Sequence, residues 1–164
     1  MLEEQRLDKR IHDYAEFDCG VPWLNEYLQR YAMQDRRRLL SQIYVLLRRG
    51  EPNKIVGYYT LSAAQVDVKE FADSERSRLP RYPIPCFRMG RLAVHREYQS
   101  AGYGKAILGC AVRRCLQAGK EIAAYALIVD ALDDSAKSFY EHYGFIPFAD
   151  EPLSLYLSLG KQAL

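Results

Sequence analysis

Gln99-Ser100-Ala101-Gly102-Tyr103-Gly104-Lys105 is the stretch whose reading decides the fold. Before it stands Cys86–Val94 (CFRMGRLAV), a strand candidate, and a short connecting segment, 95–98. After it Ile107, Leu108, Ala111, Val112, Cys115 and Leu116 recur at the spacing of a buried helix stripe, and Gly119 ends that helix. The unit reads strand, glycine-rich loop, helix. Glycine lets a backbone adopt positive φ and approach a ligand with no Cβ in the way. The first-turn N–H groups of the following helix lack intrahelical partners, and the macrodipole adds partial positive charge, so the loop suits a phosphate or pyrophosphate. Lys105 adds a full charge. Neither standard nucleotide loop is present: GxxxxGK[ST] is absent, and Ile107 stands where GxGxxG needs its last glycine. Any strand-to-helix turn tolerates glycine, so the loop alone leaves a structural reading open.

Outward from the loop, the pattern is of strands first and then β-α-β-α-β. Val21–Arg37 predicts an amphipathic helix with Pro22 in its first turn and Trp23, Leu24, Tyr27, Leu28 and Tyr31 on one packed face. Gln42–Arg48 and Lys54–Val68, separated by Gly50-Glu51-Pro52-Asn53, predict a hairpin. Residues 71–85 predict a short helix and an irregular crossing. On the C-terminal side, Ile122–Val129 predicts a central strand, and Asp133 or Asp134 caps a helix over Ser135–Tyr143 that stops at Gly144. Phe145–Phe148 and Leu153–Leu159 predict closing strands. The order argues for an α+β domain with a mixed, mostly antiparallel sheet and helices on both faces.

The chain has 164 residues, the size of one domain, and we expect residues 1–164 to form one. With 49% hydrophobic and 27% charged residues it is a globular rather than a disordered sequence. No run is long and apolar enough for a membrane span, and the first ten residues carry no signal-peptide core, so a cytoplasmic protein with reduced thiols is expected. Its four cysteines show no CxxC spacing and its three histidines stand apart from them, so no metal site is expected. The formal charge of +2 hides an asymmetry: residues 1–120 hold 21 basic and 14 acidic side chains, residues 121–164 hold 2 and 7. Sixteen of the basic residues are arginine, whose planar fork suits phosphate, although solvated helix faces account for the same composition.

Gln99-Ser100-Ala101-Gly102-Tyr103-Gly104 resembles the Q/R-x-x-G-x-G/A pyrophosphate loop of the GNAT superfamily of acetyl-CoA-dependent N-acetyltransferases. Ser135–Phe145 (SAKSFYEHYGF) is similar to that family's A-x-x-F-Y-x-x-x-G-F helix, with Ala136, Phe139, Tyr140, Gly144 and Phe145 in place. Two motifs in the correct order, about 35 residues apart, are far more specific than either one. Phe17-Asp18-Cys19-Gly20 followed by Leu24 and Leu28, Gly57-Tyr58-Tyr59, Pro83-Ile84-Pro85 and Gly90-Arg91-Leu92-Ala93-Val94 further resemble the GNAT toxins of bacterial toxin–antitoxin modules. That resemblance spans nearly the whole chain. It implies acetylation of the α-amino group of aminoacyl-tRNA, blocking translation, and neutralisation by a ribbon-helix-helix antitoxin.

By the same resemblance, Leu92, Ala93 and Val94 offer backbone groups to the pantetheine of acetyl-CoA. Gln99, Ser100, Ala101, Gly102, Tyr103, Gly104 and Lys105 hold its pyrophosphate, and Ser135 and Phe139 also bind the cofactor. Tyr140 resembles the family's general acid, with core packing beside Phe139 as the alternative. An α-amine, with a pKa of about 7.7–8.0, supplies enough neutral nucleophile that no strong base is required. His95 reads as an exposed strand-end residue, and Cys110 and Cys115 as buried, inert thiols in an apolar helix, so direct transfer is expected. Arg91 is the candidate for substrate or phosphate contact, with a salt bridge equally compatible. Arg36, Arg37 and Arg38 form a candidate tRNA-facing patch or favourable charges at a helix C-terminus. A housekeeping acetyltransferase of small amines or protein N-termini, and a non-catalytic CoA- or RNA-binding module, are the competing readings. The apolar hairpin and closing strand make a homodimer an expectation.

Overall fold

Runs of β-branched and aromatic residues set the strands, and the computed structural model describes residues 1–162. The strands are β1 (Leu2–Arg6), β2 (Gln42–Arg48), β3 (Ile55–Val66), β4 (Ile84–Val94), β5 (Ala126–Asp130), β6 (Ile146–Pro147) and β7 (Ser154–Ser158). They form a sheet of order β1-β2-β3-β4-β5-β7-β6, in which β4 and β5 run parallel and the outer pairs are antiparallel. The α+β, mixed and mostly antiparallel architecture expected from the sequence is the one found. The helices are α1 (Pro22–Glu26), α2 (Ala32–Arg37), α3 (Asp73–Arg76), α4 (Tyr103–Ala118) and α5 (Asp134–His142). No helix among the described residues is long and apolar enough to cross a membrane.

Two compact units divide the chain. The first comprises Met1–Ser62 with Arg91–Ala111, the second Ala63–Gly90 with the residues from Val112 onward. In the first, β1 pairs with β2 and β2 with β3, with a bulge at Leu46/Leu47. Leu24, Tyr27, Leu28 and Ala32 pack there with Ile43, Val45, Leu47, Ile55, Tyr58 and Ala93. The predicted Val21–Arg37 helix is interrupted by a π turn over Tyr27–Tyr31. That turn inserts one residue and rotates the helical residues after it out of the 3.6-residue register. Ala32, fully buried, takes the core position assigned to Tyr31, which is exposed, as is Trp23.

Strand β1 carries no strand pattern in its sequence because LEEQR is mostly polar. It is an edge strand, where charge is favoured, and Glu4 accepts a 2.5 Å hydrogen bond from the Tyr59 hydroxyl.

In the second unit, Val66, Phe71, Ile84, Cys86, Ala126, Ile128, Phe148 and Tyr156 form the core. The predicted strand from Ile122 starts late, at Ala126. Residues 120–122 continue the end of α4 as turns, with the Ile122 N–H bonded to the Ala118 carbonyl, and Ile122 is exposed. The alternation expected over Leu153–Leu159 gives way to uninterrupted burial from Leu155 to Leu159, because β7 lies between β5 and β6. Buried Glu75 accepts hydrogen bonds from Lys161 (3.0 Å), Ser158 and the Tyr125 hydroxyl, and an ion pair from Arg78.

Candidate active site

The glycine-rich loop lies between β4 and α4, as its sequence pattern predicts. Ser100 (φ 65°) and Gly102 (φ 83°) both adopt left-handed backbone, and open space faces Gly102 where a side chain would stand. Helix α4 already begins at Tyr103, so Gly104 and Lys105 belong to its first turn rather than to the loop. The amides of Tyr103, Gly104 and Lys105 are therefore first-turn donors without intrahelical acceptors. Ser100, Ala101, Gly102 and Lys105 are exposed.

Gln99 is held by the protein's own backbone. Its Nε2 donates to the Cys19 carbonyl at 2.8 Å and to the Val94 carbonyl at 2.9 Å, so its side-chain amide ties the loop to the protein. The Val94 carbonyl thereby gives one of its two lone pairs to the loop's support. Cys19 is held in turn: its N–H donates to Asn25 Oδ1, and Asn25 Nδ2 donates to Asp18, which also accepts from the Gly20 N–H. The Arg96 N–H donates to the Asp18 carbonyl, closing the ring of contacts. The Phe-Asp-Cys-Gly segment is thus the anchor of the loop, a function that spacing along the chain does not reveal.

Gly57 is a second support absent from the predicted site. A Cβ there would collide with Ile107 Cδ1 and stand 2.6 Å from the Ala93 carbonyl oxygen. Only glycine allows the first turns of α4 to approach β3 and the end of β4 this closely.

Arg91 stacks on Tyr27, with its guanidinium carbon 3.5 Å from the ring centroid. Burial and a hydrogen bond donated to Asp35 (2.8 Å) push the Tyr27 phenol up to about 12. Of the arginine patch, Arg36 donates to the Leu7 carbonyl at 2.6 Å and so serves the fold, leaving Arg37 and Arg38 exposed. His95, expected at the surface, is 7% exposed. Phe17 and Tyr98 meet its ring edge-on, and its Nδ1 accepts the Glu97 N–H, which caps a short 3₁₀ turn.

Tyr140 lies in α5, whose N-cap Asp133 accepts the Ala136 N–H at 2.9 Å. Its ring is buried against Phe139 and Phe145, and its hydroxyl has no hydrogen-bond partner among the described residues. Burial, with a smaller contribution from the Asp130 charge, holds the phenol well above the usual tyrosine range, so the group keeps its proton at neutral pH. Ser135 is exposed in the first turn of the same helix and Phe139 half-buried in its last. Three of the cysteines offer no activated thiolate: burial pushes Cys115 up to about 12 and Cys86 up to about 11, and raises Cys19, whereas Cys110, expected to be buried, is half-exposed on α4.

Residues 40–147 match the family model of the acetyltransferase (GNAT) domain, which is well over half of the chain. The chain belongs to the GNAT acetyltransferase family. Within that family it is 34% identical, over 145 residues, to the tRNA-acetylating toxin of Mycobacterium tuberculosis, covering 88% of this chain and 85% of the relative. The structure of AtaT complexed with acetyl-methionyl-tRNAfMet superposes with a TM-score of 0.89 at 27% identity, covering 98% of this chain and 96% of AtaT. A tyrosine-to-phenylalanine mutant of the AtaT toxin, bound to the C-terminus of the antitoxin AtaR and acetyl-CoA, superposes with a TM-score of 0.82 at 26% identity, covering 97% and 94%. As a GNAT acetyltransferase the chain uses acetyl-CoA, and the left-handed backbone at Ser100 and Gly102 with the first-turn amides of α4 fits a pyrophosphate.

Proposed function

We propose that this GNAT acetyltransferase is a toxin that acetylates the α-amino group of aminoacyl-tRNA and so blocks translation. The observation that carries the reading is the 34% identity to a tRNA-acetylating toxin over most of both chains. The likeness to AtaT complexed with acetyl-methionyl-tRNAfMet supports it. We further propose that residues 1–164 act as one catalytic domain, since the family match at 40–147 draws on both units. Action on charged tRNA would be cytoplasmic, and the AtaT–AtaR complex supports an antitoxin as partner, which we expect to be of ribbon-helix-helix type.

Bound acetyl-CoA supplies an acetyl thioester. The amine nitrogen forms a bond to its carbonyl carbon, the carbon–sulfur bond breaks, and the departing sulfur needs a proton while the amine sheds one to water. Tyr140 is the proton donor: burial keeps its phenol neutral, so it carries a hydroxyl proton to share with the sulfur as the carbon–sulfur bond breaks, and it regains a proton from the water that takes up the amine's. The loop amides from Ala101 to Lys105 hold the donor's pyrophosphate, with Gln99 fixing the loop's shape. Because the α-amino pKa is about 7.7–8.0, a usable neutral fraction exists without a dedicated protein base. The high pKa values of Cys86 and Cys115 argue for direct transfer rather than an acetyl-cysteine route through either thiol.

The test is translation in a purified cell-free system. Added chain with acetyl-CoA is expected to stop synthesis, whereas chain without acetyl-CoA, or with Tyr140→Phe, leaves it running. Undiminished synthesis in the presence of chain and acetyl-CoA rejects the toxin reading and leaves a housekeeping acetyltransferase.

A further inference from the structure

Arg91 is a half-buried arginine whose Nε is fully buried without an acceptor, and among the described residues the guanidinium makes no hydrogen bond or ion pair. Its face is occupied by the Tyr27 ring at 3.5 Å. A ring satisfies the flat face of a guanidinium but not its five N–H donors, which lie in the plane of the fork and seek oxygen. Tyr27 is itself fixed at its far end by the hydrogen bond it donates to Asp35. It also opens the π turn, an irregularity of the kind concentrated at functional sites. The arrangement therefore holds a cation still and leaves its bonding edge unfilled.

We propose that Arg91 receives a phosphate group of the acceptor nucleic acid, and that Tyr27 and Asp35 are the residues that position it. A planar fork is matched by a bidentate oxyanion, and phosphate is the one a nucleic-acid acceptor carries. This rests on the aminoacyl-tRNA reading above. A phosphate of the donor is the other source of the same chemistry. Against it, the loop that takes the donor's pyrophosphate begins at Gln99, whereas Arg91 lies on β4 three residues before Val94, about 10 Å along the strand.

The experiment measures KM for bulk aminoacyl-tRNA at several salt concentrations, and the acetyl-CoA Kd by calorimetry, in the unmodified chain and in Arg91→Gln, Arg91→Lys and Tyr27→Phe. Arg91→Gln is expected to raise KM for charged tRNA by about 10- to 100-fold, the loss of a charge-assisted contact. It also lowers the slope of log KM against log salt by about one, the signature of one phosphate contact removed. Arg91→Lys keeps most of that slope, since the charge remains, but not the affinity. Tyr27→Phe keeps the ring and frees Asp35, raising KM a few-fold with kcat and the slope unchanged. An unaltered salt slope in Arg91→Gln overturns the proposal. So does a slope that holds while the acetyl-CoA Kd weakens, which assigns the phosphate to the donor. If the unmodified chain fails to acetylate charged tRNA, the functional reading falls and this one with it; an active chain whose slope ignores Arg91 removes this one alone.

Discussion

Replacing Gly57 with alanine tests how tightly the donor loop is built onto its supports. The added methyl meets the Ala93 carbonyl oxygen at 2.6 Å and Ile107 Cδ1 closer still, where ordinary contacts begin near 3.4 Å. The isoleucine tip can rotate, but the carbonyl belongs to β4 and moves only with the strand that leads into the loop. Overpacking of this kind costs about 1–3 kcal/mol. For a chain of this length that lowers Tm by about 2–12 °C. The displaced β4 end and α4 first turn should also weaken acetyl-CoA, because the Val94 carbonyl anchors Gln99. Thermal melts with and without acetyl-CoA, together with calorimetric titration, read both effects. Ile107→Val removes Cδ1 and on its own costs about 0.5–1.5 kcal/mol. In the Gly57→Ala background it is expected to cost less than that or to stabilise, a positive coupling between residues in contact. Equal Tm and Kd in Gly57→Ala and the unmodified chain would refute the close-approach argument.

Tyr140→Phe is expected to bind acetyl-CoA normally and lose about 10²-fold in kcat, measured by release of free CoA; full turnover would remove Tyr140 as the acid. With its phenol held protonated well beyond neutrality, kcat/KM should rise through the pKa of the esterified α-amine, below the ordinary α-amino range of about 7.7–8.0, and show no falling limb from Tyr140 above it within the usual tyrosine range. Iodoacetamide should leave Cys86 and Cys115 unmodified, since burial keeps them protonated, and Cys110→Ser, at the half-exposed thiol, should keep full turnover; loss of turnover in that variant would revive a cysteine route. Burial raises the Glu75 pKa, but hydrogen bonds from Tyr125 and Lys161 outweigh it and bring the carboxyl below its ordinary value of 4.5. Its stabilising contribution is therefore complete above about pH 4.5 and lost as pH falls through the lowered native value. Denaturant melts should show Glu75→Gln less stable than the unmodified chain at pH 7, with the gap closing in acid.

The features legible in the sequence and those hidden from it divide along physical lines. The loop, the α4 stripe, the Asp133 cap and the hairpin were legible because each is a local pattern: glycine before a 3-4 periodicity, a carboxylate before a helix, β-branched runs about a turn. The π turn was not, since one inserted residue leaves composition unchanged and shows only when Ala32 replaces Tyr31 in the core. Strand β1 hid behind its polar edge position. His95 was misplaced because its burial comes from Phe17, far away in sequence, and the supports of the loop are equally non-local. Gln99 reaches back to Cys19, and Gly57 matters only because Ile107 and Ala93 crowd it. Pattern reading thus identifies the groups that touch a ligand more readily than those that hold them in place.

The most direct measurement is chemical identification of the acetylated atom. Purified chain is incubated with acetyl-CoA and charged tRNA, the RNA is digested with nuclease, and the terminal adenosine is examined by mass spectrometry. Acetyl on the α-nitrogen of the esterified amino acid, and none on uncharged tRNA, is the predicted result; acetyl on a base, on uncharged tRNA, or nowhere on the RNA would contradict it.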